Sequence, residues 1–126
     1  MIVLDTSTVL FWTQNRTLLS DPALAAIQGA DRLAIATISL WEIGWKQRTD
    51  KLHLPITAAE LYARLRQVDR VTFVPTTADI WLTTVALDWS HKDPVDRVIV
   101  ATALQHSCPL VTSDATIRQF YDLAVW

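Results

Sequence analysis

The chain reads as an α/β protein, with a central parallel sheet of four or five short strands and helices on both faces. Two observations predict this. Short apolar runs of strand length alternate with longer segments of helical character along the whole sequence. The runs are apolar throughout rather than alternating, the pattern of strands covered on both sides by crossover helices.

Ile2-Val3-Leu4 forms a buried strand, after which TSTVLFWT from Thr6 turns into a helix. Ser20-Asp21-Pro22 caps a second helix, with proline where its missing N–H costs nothing, and Gly29 ends it. Leu33 to Ala36 is the next strand and Ile38 to Gln47 a helix, followed by a polar stretch from Lys46 to Lys51 and a break at Pro55. Thr57-Ala58-Ala59-Glu60 has the form of a capping box, opening a helix that carries Leu61, Leu65 and Val68. Val71 to Val74 is a β-rich run stopped by Pro75. Thr77 to Leu87 is helical, and Asp93-Pro94 starts another helix that runs to about His106. Leu110-Val111-Thr112 is a fourth strand, Ala115 to Phe120 a short helix, and Leu123 to Val125 a short last strand.

At 126 residues, the chain is expected to form one domain over 1–126, long enough to bury a real core. A composition 51% hydrophobic with two glycines and five prolines argues against disorder. No apolar run approaches the roughly 18 residues that a membrane span requires. Asp5 interrupts the apolar N-terminus and no basic region precedes it, so neither a signal peptide nor a membrane association is expected. Cys108 is alone, which excludes an internal disulfide and fits a reducing, cytoplasmic setting. The formal net charge of −2 offers no general attraction to nucleic acid, so a polyanionic substrate would have to be drawn locally. Six tryptophans, scattered along the chain, suggest core and interface surface rather than one cage.

Four carboxylates stand where carboxylates are awkward. Asp5 ends the first apolar run, and Asp114 closes the strand-like Leu110-Val111-Thr112-Ser113. Asp96 opens an apolar helix. Glu42 lies four residues after Ile38 and three before Trp45, along a stripe that also holds Trp41. Asp5, Asp96 and Asp114 each have an ordinary alternative as helix caps or first-turn acids. An ionised carboxylate near a core costs several kcal/mol unless compensated. Four that converge call for a shared cation, and a divalent metal held by oxygen is the obvious one. In a parallel sheet, Asp5 and Asp114 fall beyond the carboxyl ends of strands, where sites gather. Asp93 is a cap close enough to Asp96 to border such a site. The three histidines, His53, His91 and His106, lack helical i,i+4 spacing and the cysteine has no partner, which argues against zinc. With Gly29 and Gly44 the only glycines, there is no phosphate loop, dinucleotide fingerprint or serine-hydrolase elbow. Lys46, one helical turn beyond Glu42, could meet a phosphate, and Arg97 could pair with a carboxylate or contact substrate.

These residues resemble the PIN-domain family, specifically the VapC-type toxins of toxin–antitoxin pairs. The matching pieces are Met1-Ile-Val-Leu-Asp-Thr6, Ile38-Ser-Leu-Trp-Glu-Ile43, His91-Lys-Asp-Pro-Val-Asp-Arg97 and Leu110-Val-Thr-Ser-Asp114. No one piece is specific; together, in this order, they cover almost the whole chain. The resemblance implies a PIN-like three-layer α/β fold and an Mg²⁺- or Mn²⁺-dependent ribonuclease leaving 5′-phosphate and 3′-hydroxyl ends. It implies Asp5, Glu42, Asp96 and Asp114 as the acidic quartet, Thr112 as a hydroxyl orienting a carboxylate, and Thr6 as a supporting residue. It also implies an RNA substrate, a homodimer, and a cognate antitoxin whose C-terminal segment occupies the cleft. Ser7 departs from the histidine that many relatives with this start carry.

Three rival readings exist. A phosphotransfer receiver domain also has an acidic Mg²⁺ site, but resembles this chain poorly: a single acid follows the first strand and no lysine lies beyond Lys92. A haloacid-dehalogenase-like phosphatase would want an aspartate where Ser7 stands. A catalytically silent PIN-like interaction module shares every feature of the fold but not the chemistry.

Overall fold

In a computed structural model covering residues 1–126, five short strands pair in parallel. They are β1 (Ile2–Leu4), β2 (Leu33–Ala36), β3 (Val71–Val74), β4 (Leu110–Val111) and β5 (Ala124–Val125), in the order β3-β2-β1-β4-β5. Val3 stands opposite Ala34 on one side and Leu110 on the other, so the first strand made is the centre of the sheet. The order reverses direction between β1 and β4. This is the topological switch point, where a parallel α/β sheet leaves a crevice beyond its carboxyl edge.

The three inner strands, β2, β1 and β4, are buried on both faces, and their side chains alternate between two cores. Val3, Ala34, Ala36 and Leu110 meet α5 (Ala78–Ala86), α6 (Pro94–Gln105) and α7 (Ala115–Phe120) through Ile80, Val98, Ile99 and Ile117. Leu4, Leu33, Ile35 and Val111 face α1 (Thr6–Gln14), α2 (Asp21–Gly29) and α4 (Ala58–Leu65), meeting Val9, Ile27, Leu61 and Leu65. The result is three layers. Each fully buried leucine or isoleucine here contributes about 1.5–3 kcal/mol relative to exposure. No helix is long and apolar enough to cross a membrane.

The helix starts are chemically explicit. The Ser20 hydroxyl accepts from Ala23 N at 3.2 Å, Thr57 from Glu60 N at 3.1 Å, and the Asp93 carboxylate from Val95 N at 2.9 Å. Two details differ from expectation. Arg16–Leu18 is a 3₁₀ turn that lacks any periodic signal, and Val68 lies beyond α4, which stops at Leu65.

The helix after β2, α3 (Ile38–Arg48), belongs to neither layer alone. Ile38 packs on the α5–α6 core and Ile43 is buried in the opposite one. Thus α3 spans both layers, with contacts to α1, α4 and α6. The loop that follows is folded back on it: Lys51 N donates to Lys46 O, and the Gln47 amide bonds Ile56 O and Ala58 N. These bonds bring Lys51 over the crevice.

Candidate active site at the carboxyl edge of the sheet

Asp5 follows β1 directly, and its N–H still donates to Val111 O of β4, at 3.1 Å. Only 6% of the residue is exposed. One carboxylate oxygen accepts from Thr6 N at 2.8 Å, capping α1, and the other from the Thr112 hydroxyl at 2.7 Å. The same Thr112 oxygen accepts from Asp114 N at 3.1 Å. One hydroxyl therefore ties the end of β1 to the end of β4. The Thr6 hydroxyl donates to the buried Ser39 hydroxyl of α3 at 2.9 Å, joining α1 to the helix that carries Glu42.

Asp114 caps α7 through one oxygen, accepting from Ile117 N at 2.9 Å, and its second oxygen takes no bond from the protein. Asp96 sits in the first turn of α6, where its N–H is held by Asp93 at 3.1 Å. Cap and cluster thus coincide: the ordinary reading of Asp5, Asp93 and Asp114 as caps holds, and capping fixes where the carboxylates stand. With Glu42 they line one cleft of about 400 Å³, which Lys46 and Lys51 also line.

Glu42 reaches the cleft for a different reason from the expected one. Trp41 and Trp45 are not an inward stripe: they are 57% and 50% exposed and stack on each other, centroids 5.9 Å apart. The buried line of α3 is Ser39 and Ile43, and Glu42 lies beside it.

The charges act on one another. Burial pushes the Asp5 carboxyl above its ordinary value; its bonds to Thr112 and Thr6 oppose this, and Glu42 and Asp114 add to it. Burial also pushes Asp96 up to about 6, against a hydrogen bond from His91, with Asp93, Asp5 and Asp114 raising it further. Lys46 lies 3.5 Å from Glu42, but no lysine or arginine nitrogen comes within 4.0 Å of Asp5, Asp96 or Asp114.

Is this donor set suited to a metal? It consists of oxygen ligands, largely withdrawn from water, of which only Glu42 has a lysine beside it, and such a set suits a hard divalent ion. The side-chain donors of His91, Asp93 and Asp96 lie within 4.8 Å of one another, whereas the quartet is more open. An open set of carboxylates suits a cation that keeps part of its water.

Two sequence expectations change. Arg97 does not face substrate. Its guanidinium makes five bonds of 2.7–3.0 Å to the carbonyls of Thr84, Leu87, Trp89 and His91, so every N–H is used in holding the segment between α5 and α6. His91 was passed over because it lacks a helical partner; instead it meets Asp96 across a turn, Nε2 to Oδ2, at 2.7 Å. The motif His91-Lys-Asp-Pro-Val-Asp-Arg97 marks it in sequence, but without a helix between His91 and Asp96 the spacing does not specify a contact.

An acidic crevice at the switch point of a three-layer parallel sheet defines a class, the α/β domains whose sites are built from carboxylates at strand ends. Comparison with known proteins narrows it. The PIN domain model matches residues 2–123, and the chain belongs to the PIN domain family. It is 36% identical over 118 residues to Ribonuclease VapC22 of Mycobacterium tuberculosis, covering 93% of this chain and 89% of that protein. In fold it is similar to a toxin–antitoxin complex from Klebsiella pneumoniae, with TM-score 0.69 and 20% identity over 100% of this chain and 97% of that one. FitAcB from Neisseria gonorrhoeae is similar too, with TM-score 0.64 and 21% identity over 98% of this chain and 95% of that one.

Proposed function

We propose that this chain is a divalent-metal-dependent endoribonuclease, the toxin of a toxin–antitoxin pair, acting as one PIN domain over residues 1–126. The observation that carries the reading is the convergence of Asp5, Glu42, Asp96 and Asp114 on one cleft, three of them without a lysine or arginine partner. Membership of the PIN domain family and kinship to a named ribonuclease support it. Kinship in fold to a toxin–antitoxin complex supports a cognate antitoxin as partner. The resemblance of the four motifs further supports a homodimer.

The quartet would hold one or two Mg²⁺ or Mn²⁺ ions, directly or through water. Bound there, the cation would lower the pKa of water and offset charge on the scissile RNA phosphodiester. The chain's own residues prepare the cleft. Thr112 and Thr6 N fix both oxygens of Asp5 before any ligand arrives, so little ordering remains to be done. Because Asp5 and Asp96 bind protons more tightly than ordinary carboxylates, metal binding there would compete with protons and weaken as pH falls. Lys46, 48% exposed and 3.5 Å from Glu42, is free to turn to a phosphate of the RNA backbone, as Lys51 is beside it. Neither reads a base, so these contacts draw RNA in without choosing its sequence.

The test is cleavage of a mixed RNA pool by purified protein with Mg²⁺, Mn²⁺ or EDTA, beside folded Asp5→Asn and Asp96→Asn variants. Metal-dependent cleavage lost in both variants is the expected result. Cleavage that persists in EDTA, or in either variant, would overturn the site; a wild type inert with every metal and RNA would favour the silent interaction module.

A further inference from the structure

We infer that His91 is a positioning residue for Asp96, and that Arg97 and Trp89 are built to hold it there. The inference rests on the metal-binding reading of the cleft. His91 lies in the segment between α5 and α6, which has no regular structure of its own, yet it is fixed at three points. Its carbonyl accepts from Arg97 Nη1 at 2.8 Å. Its ring lies against Trp89, centroids 4.8 Å apart, and Trp89 in turn stacks on Phe120 at 4.6 Å. Its Nε2 meets Asp96 Oδ2 at 2.7 Å.

An ionised carboxylate has only acceptors, so the proton of this bond belongs to Nε2, and His91 donates. The bond anchors Oδ2 without using up its lone pairs, while Oδ1 of Asp96 takes no bond from the protein. The arrangement parallels that of Asp5, whose Oδ2 is taken by the Thr112 hydroxyl. The backbone explains the expense of the clamp. Asp96 is followed directly by Arg97, so one turn of α6 presents both the carboxylate and the guanidinium that fixes its hydrogen-bond donor. Partners that orient a metal-binding side chain this way typically change affinity by about 10–100-fold.

The decisive experiment measures Mn²⁺ binding by calorimetry, with metal-free melting temperature as a control for folding. His91→Phe keeps a ring on Trp89 without the N–H; His91→Leu removes the N–H in a smaller side chain; His91→Gln restores a donor near the Nε2 position. The expected result is Mn²⁺ affinity about tenfold or more weaker in the Phe and Leu variants, recovered in Gln, with metal-free melting within a few degrees of wild type. Wild-type affinity in both donorless variants, or no recovery in Gln, would overturn the proposal. Nitrogen coupling to Mn²⁺ in pulsed electron paramagnetic resonance of the wild type would overturn it too, because His91 would then be a ligand itself. Asp96→Asn separates the two levels of the argument. If wild type binds Mn²⁺ and Asp96→Asn does not, the cleft binds metal and only the role of His91 is at stake. If wild type binds none, the metal reading fails and this proposal with it.

Discussion

Asp5 and Glu42 face the same cleft but are held in opposite ways. Asp5 ends the central strand of the sheet, 6% exposed, with both oxygens already bonded and its backbone paired to β4. Glu42 stands on a helix between exposed Trp41 and buried Ile43, its side chain 15% exposed, and its one partner is a half-exposed lysine 3.5 Å away. Both are carboxylates of one cluster, yet one is built into the fold and the other leans on it. A ligand already fixed by hydrogen bonds has little rotamer freedom to lose on binding a cation, whereas one held only by a lysine must lose rotamer entropy and give up that lysine. Sensitivity to mutation should therefore run in the order of how firmly each group is held.

The largest effect is expected at Asp5. Asp5→Asn should lower RNA cleavage by more than about 100-fold in a single-turnover assay, since loss of an orienting partner alone costs about 10–100-fold and here the ligand itself goes. Stability should move the other way. A carboxyl whose pKa is higher folded than unfolded binds its proton more tightly in the fold. The stability this confers is full below the ordinary value of 3.8 and is lost as pH rises through the folded value, about 6 for Asp96. In EDTA the wild type should thus melt at progressively lower temperature between those pH values. Asp5→Asn should melt higher than wild type at neutral pH, and saturating Mg²⁺ should raise the wild type far more than the variant. Calorimetry across this window checks all three, and a flat metal-free profile would argue against a strained cluster.

Next comes Thr112→Val, which keeps the shape of the buried side chain but leaves Asp5 Oδ2 only the 3.4 Å bond from the Ser7 hydroxyl and Asp114 N without its acceptor. We expect metal affinity weaker by about 10–100-fold and, from the orphaned donor, a stability loss of about 1–3 kcal/mol in denaturant titration. Glu42→Gln should cost less than Asp5→Asn, by about tenfold or more in cleavage rate, because its geometry is less committed before the ligand arrives. Equal losses would erase the comparison. The smallest effect belongs to Lys46→Ala: a rise in KM of a few-fold with kcat nearly kept, and a shallower salt dependence, as for one lost phosphate contact. A collapse of kcat instead would make Lys46 part of the chemistry.

Much of this was legible in the chain. Apolar runs and caps at Ser20, Thr57 and Asp93 located the strands and three helix starts, because both signals are local: a buried parallel strand must be apolar, and a cap acts within three residues. The positions of Asp5 and Asp114 followed from the sheet rule alone. What the sequence obscured depends on contacts between distant segments. Trp41 and Trp45 have the spacing of a core stripe, and only the packing of Ser39 and Ile43 shows that the stripe faces outward. Arg97 beside Asp96 suggests a substrate cation, yet it is consumed by four carbonyls that no motif announces. His91 becomes visible only once that clamp is drawn.

The central place of β1 has a further consequence, in time rather than in space. Asp5 and its partner Thr112 lie 107 positions apart, and Asp96 and Asp114 come from the same later stretch as Thr112. Until that later stretch has been made, one flank of the central strand is unpaired and the cleft has half its carboxylates. Such long-range closure is the slow part of folding. In this topology the cleft is complete only when early and late parts of the chain have met, so assembling the site and closing the sheet are one event.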